Sequence, residues 1–168
     1  YSGDVTVTLK AYDEVSGVDK IFYSDGSTFK EYTEPIKLNS EKQWTLKFYA
    51  VDKVGNAESA ESKEKTMFAF FVDKTAPKTT LTASDPKLDD IMSPKTKFSL
   101  ESSDDGAGVS KSFYTIDDNK ERIFSGEIDL LSLEDGEHTI KFYSIDFVEN
   151  KEEVRSFTFY LDKIAPEV

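Results

Sequence analysis

The chain contains no cysteine. It has no disulfide framework, and a secreted animal domain of this size would often carry one, so the absence points to an exported bacterial protein or a cytosolic one. Histidine and tryptophan occur once each, as His138 and Trp44. With no cysteine, and no serine or carboxylate in a motif that names a partner for His138, the residue types of nucleophilic catalysis are not assembled, and no enzyme is expected. No apolar run approaches the 18 residues of a membrane span, no signal peptide is present, and no segment carries a helical period, so no direct membrane insertion is expected. Positive charge is scarce too: 21 basic residues face 33 acidic ones, for a net charge of −12. Phosphate repels such a surface, which excludes nucleic acid and favours cations or a basic partner.

What the chain does have, it has twice. Val72-Asp73-Lys74-Thr75-Ala76-Pro77 returns as Leu161-Asp162-Lys163-Ile164-Ala165-Pro166, 89 residues later. Such a period, in units of short alternating strands, signals tandem β-domains of about 80 to 90 residues. Val5, Val7, Leu9 and Ala11 alternate with Thr6, Thr8 and Lys10, as in a half-buried strand; the matching strand is Lys97-Phe98-Ser99-Leu100-Glu101. Asp13-Glu14-Val15-Ser16-Gly17-Val18 corresponds to Asp104-Asp105-Gly106-Ala107-Gly108-Val109, with Gly17 and Gly108 expected to supply positive φ in the same turn. Lys20-Ile21-Phe22-Tyr23 and Lys111-Ser112-Phe113-Tyr114 follow as strands. Asp25-Gly26 then reads as a tight hairpin turn, replaced later by Asp117-Asp118-Asn119.

Trp44 to Asp52 aligns without a gap on His138 to Asp146, each followed by a turn, Gly55-Asn56 and Glu149-Asn150. The last strands are Phe68-Ala69-Phe70-Phe71-Val72 and Phe157-Thr158-Phe159-Tyr160-Leu161; the loop before the first of them, 57–66, is the longer. The fold class expected is all-β: two tandem immunoglobulin-like antiparallel β-sandwiches in an elongated arrangement. The first repeat takes residues 1–73, the second 74–163, and 164–168 start a linker to a further repeat. Lys78-Thr79-Thr80-Leu81-Thr82 opens the second repeat with a strand the first lacks, so the chain is expected to have been clipped there, at Tyr1.

Several of these residues resemble bacterial immunoglobulin-like surface repeats, with those of a leptospiral outer-membrane protein family the most similar. The resemblance is carried by Tyr1-Ser2-Gly3-Asp4-Val5-Thr6-Val7-Thr8-Leu9, Asp13-x-x-Ser16-Gly17-Val18, Tyr32-x-x-Pro35 and Asp52-x-x-Gly55-Asn56-x-Glu58. It covers essentially the whole chain; the second repeat departs from it at Ala107, at Glu149 and in having no Tyr-x-x-Pro. The resemblance implies a non-catalytic module of an exported protein, used in tandem adhesin stalks or beside glycosidases.

Two constellations are candidates for binding. In an immunoglobulin-like sandwich the acidic turns share one pole. Asp104, Asp105, Asp146 and Glu149 would then converge towards Asp73 of the linker as hard oxygen donors for Ca²⁺. The competing reading is local: Asp13, Asp52, Asp104 and Asp146, with Ser16, Gly17, Gly55, Asn56, Gly108 and Asn150, form turns in which the carboxylates accept backbone N–H bonds. No cofactor other than this calcium is expected. The second constellation is an outward aromatic row, Phe22, Tyr49 and Phe71, repeated as Phe113, Tyr143 and Tyr160, which would stack sugars, dock a protein strand, or merely pair across strands. Together these readings describe a stalk or adhesion module of an exported bacterial protein, extracellular, cell-surface or periplasmic. Its partners would be a host or cell-surface protein or glycan and neighbouring repeats. The alternatives are a carbohydrate-binding accessory domain of a polysaccharide-degrading enzyme and a calcium-stiffened interdomain linker. The proline-containing joint, 72–78, is expected to restrict hinge motion.

Overall fold

The computed structural model describes residues 1–26, 28–58, 67–117 and 119–167. Most of the long 57–66 loop, Asp118 of the second turn and the terminal Val168 lie outside them. The chain forms two compact units, Tyr1–Lys74 and Thr75–Val168. Among the described residues every regular element is a β-strand, and no helix is long and apolar enough to cross a membrane.

The first unit runs β1 (Val5–Val7), β2 (Val18–Ser24), β3 (Lys30–Glu31), β4 (Ile36–Leu38), β5 (Lys42–Asp52) and β6 (Met67–Val72). The pair β1-β4 forms one sheet and β3-β2-β5-β6 the other. Strand alternation sends Leu46 of β5 inward to meet Ile36 and Leu38 of the facing sheet, with Val5, Val7, Tyr23 and Phe70 packed around them. That is a β-sandwich with a small core.

The second unit runs β7 (Lys78–Ala83), β8 (Lys87–Leu88), β9 (Ile91–Met92), β10 (Lys97–Ser103), β11 (Val109–Ile116), β12 (Arg122–Ile123), β13 (Ile128–Asp129), β14 (Gly136–Asp146) and β15 (Arg155–Leu161). Its sheets are β13-β10-β7 and β12-β11-β14-β15-β9-β8, with β9 parallel to β15 and the other pairs antiparallel. Nine residues form its buried core, including Phe98, Leu130, Ile140, Phe142 and Phe159. The Phe98 ring stands edge-on to Phe159 at 4.9 Å and 83°, the geometry an aromatic quadrupole favours.

The duplication extends to register. β2 pairs with β5 through Ile21↔Ala50 and Phe22↔Tyr49; β11 pairs with β14 through Ser112↔Ser144 and Phe113↔Tyr143. Both pairs carry an irregularity at the same place, between Val18 and Lys20 and between Val109 and Lys111. The Asp73 N–H donates to the Tyr1 carbonyl as the Asp162 N–H donates to Met92, both at 2.9 Å. Tyr1 therefore occupies the place of Met92.

Two expectations are corrected by these registers. Asp25-Gly26 is not a two-residue hairpin turn: Tyr23 pairs with Lys30, so the connection spans the six positions 24–29. The strand expected to run through Ala11 ends at Val7, whereas its counterpart β10 continues to Ser103 because β7 pairs with it from Phe98↔Ala83 to Ser103↔Lys78. A strand is defined by its ladder, and Thr8 to Tyr12 have no ladder partner among the described residues.

Candidate functional site

The acidic turns are built alike. Asp13 Oδ1 accepts the N–H groups of Ser16 and Gly17, both at 2.8 Å, and the Ser16 hydroxyl at 3.1 Å. Asp104 Oδ1 accepts Gly106 at 3.1 Å and Gly108 at 2.7 Å; Ala107 has no hydroxyl to add. Gly17 and Gly108 take φ of 75° and 81°, the left-handed conformation that folds the chain back onto the carboxylate. The strand-end turns repeat this economy. Asp52 accepts the N–H groups of Val54 and Asn56 and the Asn56 amide; Asp146 accepts those of Val148 and Asn150 and the Asn150 amide, at 2.7 to 3.0 Å throughout. Gly55 holds its turn at a φ of 91° and Glu149 occupies the equivalent position at 71°. The Asn150 amide reaches on to the Thr75 carbonyl at 3.2 Å, fastening the start of the second unit to this turn.

These bonds favour the charged form. The Gly17 N–H, then the Ser16 hydroxyl and N–H, hold the Asp13 carboxyl below its ordinary range. For Asp52, desolvation pushes upward but the Asn56 side-chain and backbone bonds outweigh it, and its pKa is lowered.

Within the second unit a carboxylate oxygen of Asp104 lies within 4.8 Å of one of Asp146. Asp104 Oδ2 is buried and has no hydrogen-bond partner, the one such side-chain atom among the described residues. Two carboxylates supply at most four of the six to eight oxygens a calcium ion takes. Asp105 and Glu149 stand exposed, outside that group. Asp73 belongs to the first unit, directly after β6.

Phe22 stacks on Tyr49 at 5.1 Å and 19°, and Phe113 on Tyr143 at 5.0 Å and 19°. Phe71 pairs opposite Gln43 and Tyr160 opposite Glu137, each six residues along the strand from Tyr49 or Tyr143, roughly 20 Å at about 3.4 Å per residue. Each unit thus has a two-ring ledge rather than a continuous row. The ledges differ in their surroundings. The Lys151 ammonium sits 3.8 Å over the Tyr143 ring, and the Tyr143 hydroxyl donates to Glu121 at 2.8 Å. Desolvation and that bond push the Tyr143 phenol above its ordinary value. In the first unit Ala57 occupies the position of Lys151, and Phe29 meets Tyr49 edge-on at 5.0 Å. Sequence reasoning missed both Phe29 and Lys151, because the loop and the bridge that deliver them carry no strand alternation.

His138 is held by Asp117 Oδ2 at 2.5 Å from Nδ1 and by the Glu134 carbonyl at 2.9 Å from Nε2. Desolvation alone would depress its pKa, but these two acceptors outweigh it and hold the ring protonated above the usual range. An imidazolium donating from both nitrogens has no lone pair with which to act as a base.

No protein-family model matches the chain, and no curated protein matches it. Among solved structures it is similar to the fibronectin(III)-like modules of Clostridium thermocellum CbhA, with 18% identity, 96% of this chain and 87% of that chain covered, and a TM-score of 0.47.

Proposed function

We propose that the chain is a non-catalytic pair of immunoglobulin-like modules from an exported bacterial protein, spacing or presenting a binding surface at or beyond the cell. The reading is carried by the reuse of one frame in both units, with the same ladder register, the same stacked ring pair and the same carboxylate turns. Selection for a reaction centre acts on one place; here the polar groups that recur serve turns. Its partners are the neighbouring repeats and a host or cell-surface protein or glycan.

Single-molecule extension between the chain ends tests this. Two load-carrying modules release their lengths separately, roughly 250 Å and 320 Å before subtracting the folded spans, at about 3.4 Å per residue for units of 74 and 94 residues. One merged release, or hydrolysis of a polysaccharide by the purified chain, overturns the proposal.

A carbohydrate-binding role is favoured by the first unit's ledge, where Phe22, Tyr49 and Phe29 meet and Ala57 replaces the lysine. Glycan-array binding that is lost in Tyr49→Ala supports it; no binding to any glycan removes it. A calcium-stiffened role is favoured by the unpartnered Asp104 Oδ2 near Asp146. A rise in thermal midpoint with millimolar Ca²⁺, absent in Asp104→Asn, supports it, and an unchanged midpoint removes it.

A further inference from the structure

The second unit holds a cleft that neither the ledges nor the carboxylate turns use. It has a volume of about 320 Å³ and opens at the rim of the sandwich, between β11 and β12 of one sheet and β13 of the other. Its floor is apolar, formed by the buried Ile128 with Tyr114, Ile116 and Leu133, all half-buried. Its walls are polar, with Lys120 and Arg122 on the β12 side and Asp129 and Ser132 on the β13 side. Such a volume lies at the small end of ligand sites and suits a single sugar ring.

Strand register sets the cations at this cleft. Arg122 pairs directly opposite Tyr114, so both side chains take the core-facing side of the sheet, whereas Phe113 and Tyr143 stack on the outer side. In the first unit Lys30 stands opposite Tyr23 in the same way and ion-pairs with Asp25 at 3.6 Å, two residues beyond Tyr23. Ile116 takes the place of Asp25 in the second unit, and neither Arg122 nor Lys120 has an ion-pair or hydrogen-bond partner among the described residues. The adjacent Glu121 is engaged elsewhere, accepting the Tyr143 hydroxyl at 2.8 Å. A charge on an edge strand wards off stray strands, but Lys30 does so with its carboxylate attached. An unpaired guanidinium beside an open cleft is more than that protection needs.

We propose that this cleft binds the carboxylate-bearing ring of an acidic sugar, a uronate; the inference rests on the glycan partner proposed above and names its class. The Arg122 fork takes both carboxylate oxygens and Lys120 adds a second positive charge at the mouth. Tyr114, Ile116 and Ile128 meet the C–H face of the ring. Asp129 tells against a bare inorganic anion, which it would repel, and in favour of a ligand with hydroxyls, which it can accept from. Its Oδ1 already takes the Leu131 N–H at 2.7 Å, so Oδ2 is the atom that faces this task, with the Ser132 hydroxyl beside it. The net charge of −12 opposes an anion at long range, so binding comes from contact in the cleft rather than from steering.

The test is NMR titration of the whole chain with glucuronate, glucose and acetate at matched millimolar concentration and ionic strength, read at the backbone amides of Thr115, Arg122 and Ser132. Glucuronate is expected to shift all three, with glucose and acetate each binding roughly tenfold more weakly. Arg122→Gln is expected to weaken glucuronate roughly tenfold, the loss of a charged hydrogen-bonded pair at a partly solvated site, and Arg122→Lys less, because it keeps the charge without the fork. Arg122 is exposed, so both variants should keep the thermal midpoint of the second unit. No shift by glucuronate overturns the site. Equal binding of glucose overturns the role of the carboxylate, and equal binding of acetate overturns the sugar ring. Glucuronate affinity unchanged by Arg122→Gln overturns the cleft. Extension of the same chain reads the module proposal separately: two releases without glucuronate binding remove the acidic-sugar site and keep the modules.

Discussion

Unequal burial makes one residue type worth different amounts at equivalent positions. Phe48 and Phe142 both project from the long central strand, four residues before Asp52 and Asp146. Phe142 is 4% exposed, so Phe142→Ala loses the transfer energy of a whole ring and leaves a cavity, about 3–5 kcal/mol. Phe48 is half-buried against an open groove of about 480 Å³ that Leu9, Ala11 and Ile21 also line, so Phe48→Ala loses only part of that transfer energy and widens a space already open, roughly 1–2 kcal/mol. Urea titration separates the two. Trp44 is the sole tryptophan and lies in the first unit, so its fluorescence reports that unit alone, while two-dimensional NMR of the Ile140 and Phe159 region reports the second. With an m-value of about 1 kcal/mol/M for units of this size, Phe142→Ala moves its midpoint by roughly 3 M or unfolds the unit outright. Phe48→Ala moves the Trp44 transition by roughly 1–2 M. The milder Phe→Leu pair keeps both variants folded and should preserve the order. Equal costs at the two positions would refute the argument from the different burial of the two rings.

Three other outcomes follow from the turns and the histidine pair. Asp146→Ala strands the Val148 and Asn150 N–H donors at a buried site, a loss of about 2–4 kcal/mol, whereas Asp52→Ala at the more exposed turn costs less; thermal denaturation of each variant checks the order. Gly108→Ala forces an L side chain into a φ of 81° and brings its Cβ to 3.8 Å from the Phe147 ring, so about 1–2 kcal/mol is lost through the backbone rather than through contact; Gly108→Asn, which tolerates that conformation, should recover most of it in the same melt. His138 titrates above its ordinary 6.5 and Asp117 below its ordinary 3.8. The histidine contribution is therefore complete below about pH 6.5 and lost as pH rises through the raised folded value, and the carboxylate contribution is lost only as pH falls below 3.8. The second unit's melting temperature should fall as pH rises above 6.5, and Asp117→Asn should flatten that slope; an unchanged slope would discount the pair.

Much of this molecule was legible because its chemistry is local. Alternation of Leu46 and Phe48 with Lys47 and Tyr49 names a half-buried strand, and an Asp four residues before a glycine or an asparagine names a carboxylate turn, since both need only a few consecutive residues. The Asp25-Gly26 turn misled for the complementary reason: the signal is local, but the pairing of Tyr23 with Lys30 is decided by the neighbouring ladder. The separation of Phe71 from Tyr49 and of Tyr160 from Tyr143 was likewise hidden, because alternation gives the face of a strand and not its register against the next.

By itself, then, the sequence determined that two similar all-strand units exist and which side chains face inward, because those properties repeat every two residues, while it left the carboxylates open between closing their own turns and gathering for a cation. Only the tertiary structure decided which of the expected carboxylates of the second unit meet, Asp104 and Asp146 and not Asp105 or Glu149, and that Lys151 covers one tyrosine ledge while its counterpart has Ala57. Each of those depends on which strands stand side by side, a choice set by the ladder across the whole unit rather than by any short stretch of it.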